Sequence, residues 1–143
     1  MKILLSDTLT KSKREFRPIN KKHIKVYACG PTVYNYAHLG NARMAVVTDL
    51  LIRVLKLRYK RVTFVSNITD VDDKIIESAK KERISISELT KKFHKIYNED
   101  MANLGVNTPD IQPKATEYIE EMIKMISLLI KNDCAYVSGG NVL

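Results

Sequence analysis

Two β-rich runs, Ile24–Ala28 and Val62–Ser66, bracket a single stretch of helical periodicity. Across residues 41–59 the apolar residues Met44, Val47, Leu51, Val54 and Leu55 recur at the spacing of an amphipathic helix. One helix of this length between two strands makes a β-loop-α-β unit with parallel strands, because a parallel pair needs a crossover of a dozen residues or more. Such a unit opens a doubly wound α/β sheet, in which ligands sit beyond the carboxyl ends of the strands. The segments leaving those ends are Cys29-Gly30 and residues 67–70, so both are predicted to face one crevice. Leu50 and Ile52 widen the apolar stripe of the helix, which predicts burial on more than one side.

The flanking segments are less uniform. Residues 1–23 are polar and basic, with Leu4, Leu5, Leu9, Phe16 and Ile19 as scattered anchors. Residues 70–81 start acidic and end basic, as a short helix does. Ser85 and Glu88 have the spacing of a capping box, followed by a helical stripe through Leu89, Phe93, Ile96, Tyr97, Met101 and Leu104 that Gly105 stops. Pro109 and Pro113 mark a loop, and a long helix with Asn132 as its cap follows. Ala135-Tyr136-Val137 and Val142-Leu143 flank Ser138-Gly139-Gly140-Asn141, which reads as a β-hairpin.

Composition bounds the class. At 143 residues and 45% apolar the chain can bury a core as one domain, or as one domain and the start of another. The net charge of +8 suits a polyanionic partner such as nucleic acid, or equally a lysine-rich solvated surface. Two cysteines that form no C-x-x-C pair predict reduced thiols in a cytoplasm. The first apolar stretch is too short for a signal peptide, and no segment approaches the ~20 apolar residues of a membrane span.

The chemistry-bearing residues gather around the predicted crevice. His38-Leu39-Gly40-Asn41 stands where the helix begins, and free N–H groups there suit a polyphosphate. His38 and Asn41 add donors one turn apart, and Gly40 lets a flat base or ribose approach the backbone. The four residues also read as an ordinary turn. Cys29 is either a small core residue closing a strand or a zinc thiolate; His23, His94, Cys134 and the carboxylates are not at ligand spacing from it. Asp70, Asp72 and Asp73 could bind a metal or act as acid and base. For Asp72 and Asp73 the reading as helix N-terminal residues is favoured. Asn67 and Thr69 lie nearer the crevice and are the better substrate contacts. His94 is expected at the surface or boundary and Cys134 in the core. The cations Lys11, Lys13, Arg14, Lys21 and Lys22 form either a solvated edge or an RNA-phosphate contact.

In combination these signals resemble a known family. Residues 27–43, Tyr-Ala-Cys-Gly-Pro-Thr-Val-Tyr-Asn-Tyr-Ala-His-Leu-Gly-Asn-Ala-Arg, resemble the signature of cysteinyl-tRNA synthetases. Residues 67–76, Asn-Ile-Thr-Asp-Val-Asp-Asp-Lys-Ile-Ile, match a second motif at the expected distance. Asp7-Thr8-Leu9-Thr10, the run 13–19, Pro113-Lys114-Ala115-Thr116 and Ala135-Tyr136-Val137 extend the likeness over nearly the whole chain.

The resemblance implies the first half of a class I, Rossmann-like catalytic domain over residues 1–112. The start of a connective insertion over 113–143 follows it. It implies activation of L-cysteine with ATP and Mg²⁺, transfer to tRNA(Cys), a zinc ion, and a monomeric cytoplasmic enzyme. His38 to Asn41 match the His-Ile-Gly-His motif, with Leu39 for Ile and Asn41 for the final His. His38 and Asn41 are thereby implied in catalysis, and Gly30, Thr32, His38, Gly40 and Asn41 in holding ATP or adenylate. Asn67 and Thr69 fall near the bound amino acid, and Cys29 matches the first zinc ligand. Zinc favours a thiolate over the harder serine hydroxyl, which makes editing unnecessary. The family's other zinc ligands and its Lys-Met-Ser-Lys-Ser loop have no counterpart in these residues. The expectation is therefore an N-terminal piece, inactive alone. The alternatives are the related cysteine ligase of mycothiol synthesis, against which the basic balance and Asp72-Asp73-Lys74 weigh, and a non-catalytic RNA-binding paralogue.

Overall fold

In the computed structural model, which describes residues 2–143, the chain opens with an antiparallel hairpin of β1 (Leu4–Asp7) and β2 (Ser12–Glu15). The sequence marks this segment only by scattered apolar anchors. Asp7 explains the turn: its carboxylate accepts from Leu9 N at 3.0 Å and pairs with Arg14 across the hairpin at 2.9 Å. Phe16 N donates to Ile3 O at 2.8 Å, which extends the pairing, and the Phe16 ring meets Tyr59 edge-on at 6.3 Å.

The central unit is β3 (Ile24–Ala28), α1 (Leu39–Arg58) and β4 (Val62–Ser66). β3 and β4 are parallel, in register from Ile24 opposite Val62 to Ala28 opposite Ser66. The predicted strands coincide with the observed ones, and the helix begins two residues earlier than predicted. Beyond β4 the backbone keeps pairing on both sides. Thr69 bridges Thr32 on one side, and Val65 and Ile68 bridge Ile111 and Lys114 on the other, all in parallel sense. Residues 111–114 thus act as a short third strand where the two prolines predicted only a loop. Their orientation satisfies it: Ser66 N donates to Ile111 O, and Ile68 N to Pro113 O, so Pro113 needs no N–H of its own. The extended parallel sheet goes no further among the described residues.

α2 (Asp73–Glu82) and α3 (Ile86–Asn103) follow. Asp72 caps α2, accepting from Lys74 N at 2.9 Å, as the structural reading of that aspartate required. Ser85 and Glu88 form the predicted capping box: Ser85 Oγ accepts from Glu88 N, and the Glu88 carboxylate accepts from Ser85 N. Gly105, at φ +75°, ends the helix region in the left-handed conformation glycine tolerates. A 3-10 turn (Ala115–Tyr118), α4 (Ile119–Lys131) and the small hairpin of β5 (Val137–Ser138) and β6 (Asn141–Val142) complete the chain.

The core is in two parts. Ile24, Ile52 and Leu55 lock α1 onto the sheet, with Phe16, Val26 and Phe64 around them. Val33, Ile68, Ile75, Ala79, Leu89 and Phe93 join α2 and α3 to the segments leaving the strands. Each fully buried aliphatic here contributes about 1.5–3 kcal/mol.

Two expectations fail. α1 is not buried on several sides: Val46, Val47, Leu50 and Leu57 are exposed, because the sheet covers one face of the helix and no more. Cys134 is exposed, not in the core. It follows a left-handed turn at Asp133 behind α4, a helix with no buried residue, so nothing encloses it among the described residues. No helix is long and apolar enough to cross a membrane among the described residues.

Candidate nucleotide and amino-acid site

The site begins where β3 and β4 end. Gly30 passes so close to residue 67 that a Cβ there would lie 1.6 Å from Asn67 O. This contact, and not a turn, is the reason for the glycine. The two segments are then stitched together. Gly30 N donates to Asn67 Oδ1 at 3.0 Å, Thr69 N to Pro31 O at 3.0 Å, and Val33 N to Thr69 O at 3.2 Å. Asn67 Nδ2 donates to Thr69 Oγ1 at 3.1 Å. The predicted facing of Cys29-Gly30 and 67–70 therefore holds, at bonding distance.

From Pro31 the chain bows outward and returns at α1. Tyr36 packs edge-on against Phe93 of α3, with ring centroids 5.3 Å apart, which fixes the outer edge of the bow. A cleft of about 320 Å³ lies inside, lined by residues 31–38, Asn41, Phe93 and Tyr97. Thr32, His38 and Asn41 thus share one cavity. Gly30, Asn67 and Thr69 stand beside it in the stitched crossing, and Cys29 is exposed at the strand end.

His38 and Asn41 close the start of α1 on each other. His38 Nδ1 accepts from Gly40 N at 3.0 Å, and Asn41 Oδ1 accepts from His38 N at 3.0 Å. A ring nitrogen that accepts carries no proton, so in the neutral imidazole the proton sits on Nε2 as a donor. Asn41 likewise keeps its Nδ2 donors. Gly40 turns out to serve the cap: its absent Cβ would lie 2.7 Å from His38 Cε1, so the glycine makes room for the imidazole itself. A helix start with two such side-chain donors lining one cleft is suited to oxygen-rich anions.

The aspartates of the second motif are occupied by the fold. Asp70 is buried and accepts from Thr116 N at 3.0 Å and Thr116 Oγ1 at 2.6 Å, tying the segment after β4 to the 3-10 turn. Asp72 caps α2, and Asp73 lies in its first turn. His23 bonds Thr63 Oγ1 at 2.8 Å, at the end of the sheet opposite Cys29. No group of three or more His, Cys, Asp or Glu is placed to hold a metal among the described residues. Cys29 offers one thiolate of the roughly four ligands zinc takes, so the residues present do not hold that ion by themselves. Cys29 is exposed and so does not belong to the core formed by the described residues.

Sequence reading missed Tyr27, whose hydroxyl donates to Asn67 Oδ1 at 3.0 Å, and Asp49. Asp49 is buried, paired with Arg53 at 2.6 Å and receiving Asn107 N and Nδ2, while Arg53 reaches Gly105 O. Asp49 and Arg53 show the i,i+4 spacing of a helix pair, a usable signal; Tyr27 shows none in the sequence. Phe93 and Tyr97, read as a core stripe, also wall the cleft.

His94, half-buried on α3 as expected of a boundary residue, has Nε2 shut from water without a partner. Burial, above all, holds its pKa below the ordinary 6.5; the Lys114 charge adds to this, and Gln112 and Asp70 pull the other way. The folded pKa is the lower one, so the unfolded chain takes the proton first as pH falls. The stability due to neutral His94 is complete above pH 6.5 and is lost as pH falls below it. Urea midpoints at about pH 7.5 and about pH 5.5 should differ more for the unsubstituted chain than for His94→Gln. Equal differences would show that His94 does not titrate with unfolding.

Comparison with known proteins adds the family. A model of the family described as the catalytic domain of class I (C) tRNA synthetases matches residues 15–143. A cysteine–tRNA ligase of Parvibaculum lavamentivorans is 50% identical over 143 residues, all of this chain and 31% of that protein. One of Pelagibacter ubique is 51% identical over 142 residues, 98% of this chain and 31% of that protein. One of Saccharophagus degradans is 50% identical over the whole chain, again 31% of its own length. The chain therefore spans about a third of the length of these curated relatives.

Proposed function

Because the chain belongs to the family of class I (C) tRNA synthetase catalytic domains, we propose that it forms part of the site where a cysteine–tRNA ligase activates L-cysteine with Mg-ATP and passes it to tRNA(Cys). The observation that carries this reading is a juxtaposition. The capped start of α1, with donors on His38 and Asn41, shares one cleft with Thr32, beside the Gly30–Asn67–Thr69 crossing.

Each residue has a role in this reading. The phosphates lie at the N-terminus of α1, where the helix dipole favours negative charge, while the cap itself takes the N–H groups of His38, Gly40, Asn41 and Ala42. His38 Nε2–H and Asn41 Nδ2 donate to phosphate oxygens, and their worth rises as charge builds on the reacting phosphate. Gly30 and Gly40 allow close approach, Gly40 by seating the His38 ring. Thr32 contacts the adenylate. Asn67 and Thr69 orient the amino acid so that its carboxylate meets the α-phosphate. Carboxylate attack forms the acyl–phosphate bond and releases pyrophosphate; the terminal ribose hydroxyl of tRNA then takes the acyl group and releases AMP. Cys29 is read as the one ligand these residues contribute to a zinc ion, the others coming from sequence outside them. Residues 1–112 are read as the first half of the Rossmann-like domain and 113–143 as the start of a connective insertion. The net charge of +8 supports a tRNA partner.

Cysteine-dependent ATP–pyrophosphate exchange tests the reading. The full-length gene product should show it and should charge tRNA, while the 143-residue chain alone should show none. Exchange by the 143-residue chain would refute the need for further sequence. Activation of cysteine with transfer only to an amino sugar would replace the tRNA assignment.

A further inference from the structure

We propose that Tyr27 is a positioning residue for the amino-acid side of this site, acting through Asn67; the proposal rests on the ligase reading above. Tyr27 is 63% exposed, so core packing does not account for an aromatic there. Its hydroxyl and Gly30 N both donate to Asn67 Oδ1, each at 3.0 Å. The Gly30 N–H can only donate and so settles which end of the amide is which, and the Tyr27 hydroxyl takes the second lone-pair direction of the same oxygen. The other end, Nδ2, donates to Thr69 Oγ1 at 3.1 Å.

That orientation decides what Thr69 can do. Its oxygen accepts from Asn67, so its own hydrogen is free to donate to a bound molecule. One Nδ2 hydrogen of Asn67 is also free. Both donors suit an acceptor oxygen of a bound amino acid or its acyl phosphate. With the amide turned over, Oδ1 would face Thr69, which would spend its hydrogen on Asn67. The Gly30 N–H would then face an NH₂ group, and the Tyr27 hydroxyl would have to turn from donor to acceptor. Tyr27 thus holds Asn67 together with Gly30 N in the orientation that keeps Thr69 a donor toward substrate. It touches no reacting atom itself.

Tyr27→Phe removes one of the two locks and leaves Gly30 N in place. In the full-length product the KM for cysteine should rise about five- to tenfold while kcat changes less than about twofold. Asn67→Ala should raise it further, and the double variant should match Asn67→Ala alone, since Tyr27 acts through that residue. In the 143-residue chain, Tyr27→Phe should shift the Asn67 side-chain amide NMR signals without changing the melting temperature. An unchanged KM, additive effects in the double variant, or unmoved amide signals would each overturn the proposal while leaving the ligase reading intact. Absence of cysteine activation in the unsubstituted full-length protein would overturn the ligase reading and this one with it.

Discussion

Gly30→Ala should unfold the carboxyl end of the parallel pair. The added Cβ would lie 1.6 Å from Asn67 O and 2.8 Å from Asn67 C. Both are backbone atoms held by the β3–β4 register and the Thr32–Thr69 bridge, so no side chain can rotate to make space. Relief requires the strands to part, which breaks the Gly30 N, Thr69 N and Val33 N bonds together. Overpacking of a core costs about 1–3 kcal/mol when neighbours can yield, and here the cost should exceed about 3 kcal/mol. For a domain of this size that is a loss of about 10 °C in melting temperature. Two glycines serve as controls. Gly105→Ala meets nothing within 4 Å and suffers only from its φ of +75°, so it should cost about 1 kcal/mol. Gly40→Ala meets only the His38 ring, which can swing away, so it should disturb the cap more than the fold. A melting temperature for Gly30→Ala equal to that of Gly105→Ala would show that the strands part for no more than about 1 kcal/mol and would overturn this account.

His38→Asn should separate the two jobs of His38. As the N-cap of α1, His38 accepts from Gly40 N, a task asparagine performs at least as well. What asparagine lacks is the Nε2 donor on the far side of the ring. The substituted chain should melt within about 2 °C of the original, an effect of about half a kcal/mol. Cysteine-dependent ATP–pyrophosphate exchange by the full-length product should fall about 10²- to 10³-fold, the usual loss on removing one donor to developing charge. His38→Ala should show the same loss of exchange and lose about 1 kcal/mol of stability besides. Exchange within about threefold of normal in His38→Asn would remove Nε2 from the proposed chemistry.

The elements that were legible in the sequence are those whose cause is local. β3 and β4 announce themselves by β-branched alternation, and α3 by Ser85 and Glu88, whose side chains reach only three residues. Asp72 was rightly read as a helix-start residue for the same reason. The β1–β2 hairpin was missed because one carboxylate, Asp7, makes its turn among exposed polar residues with little apolar pattern. Residues 111–114 were missed because their pairing with β4 runs through backbone carbonyls, which leave no mark on residue type, and the prolines beside them read as breaks. Cys134 was misplaced because a cysteine near a strand is usually inside, and only the packing around α4 decides whether anything covers it.

The candidate site divides along the same line. Residue types and spacing by themselves determined the strand–helix–strand unit, the helix start at His38 to Asn41 and the meeting of Cys29-Gly30 with residues 67–70, because periodicity and chain connectivity are written in the order of residues. Tertiary structure alone decided that Gly30 is a contact glycine and that Asn67 is pinned by Tyr27. Those facts depend on distances between residues some 40 positions apart in the chain, and a hydrogen bond exists only within a few tenths of an ångström of its proper length.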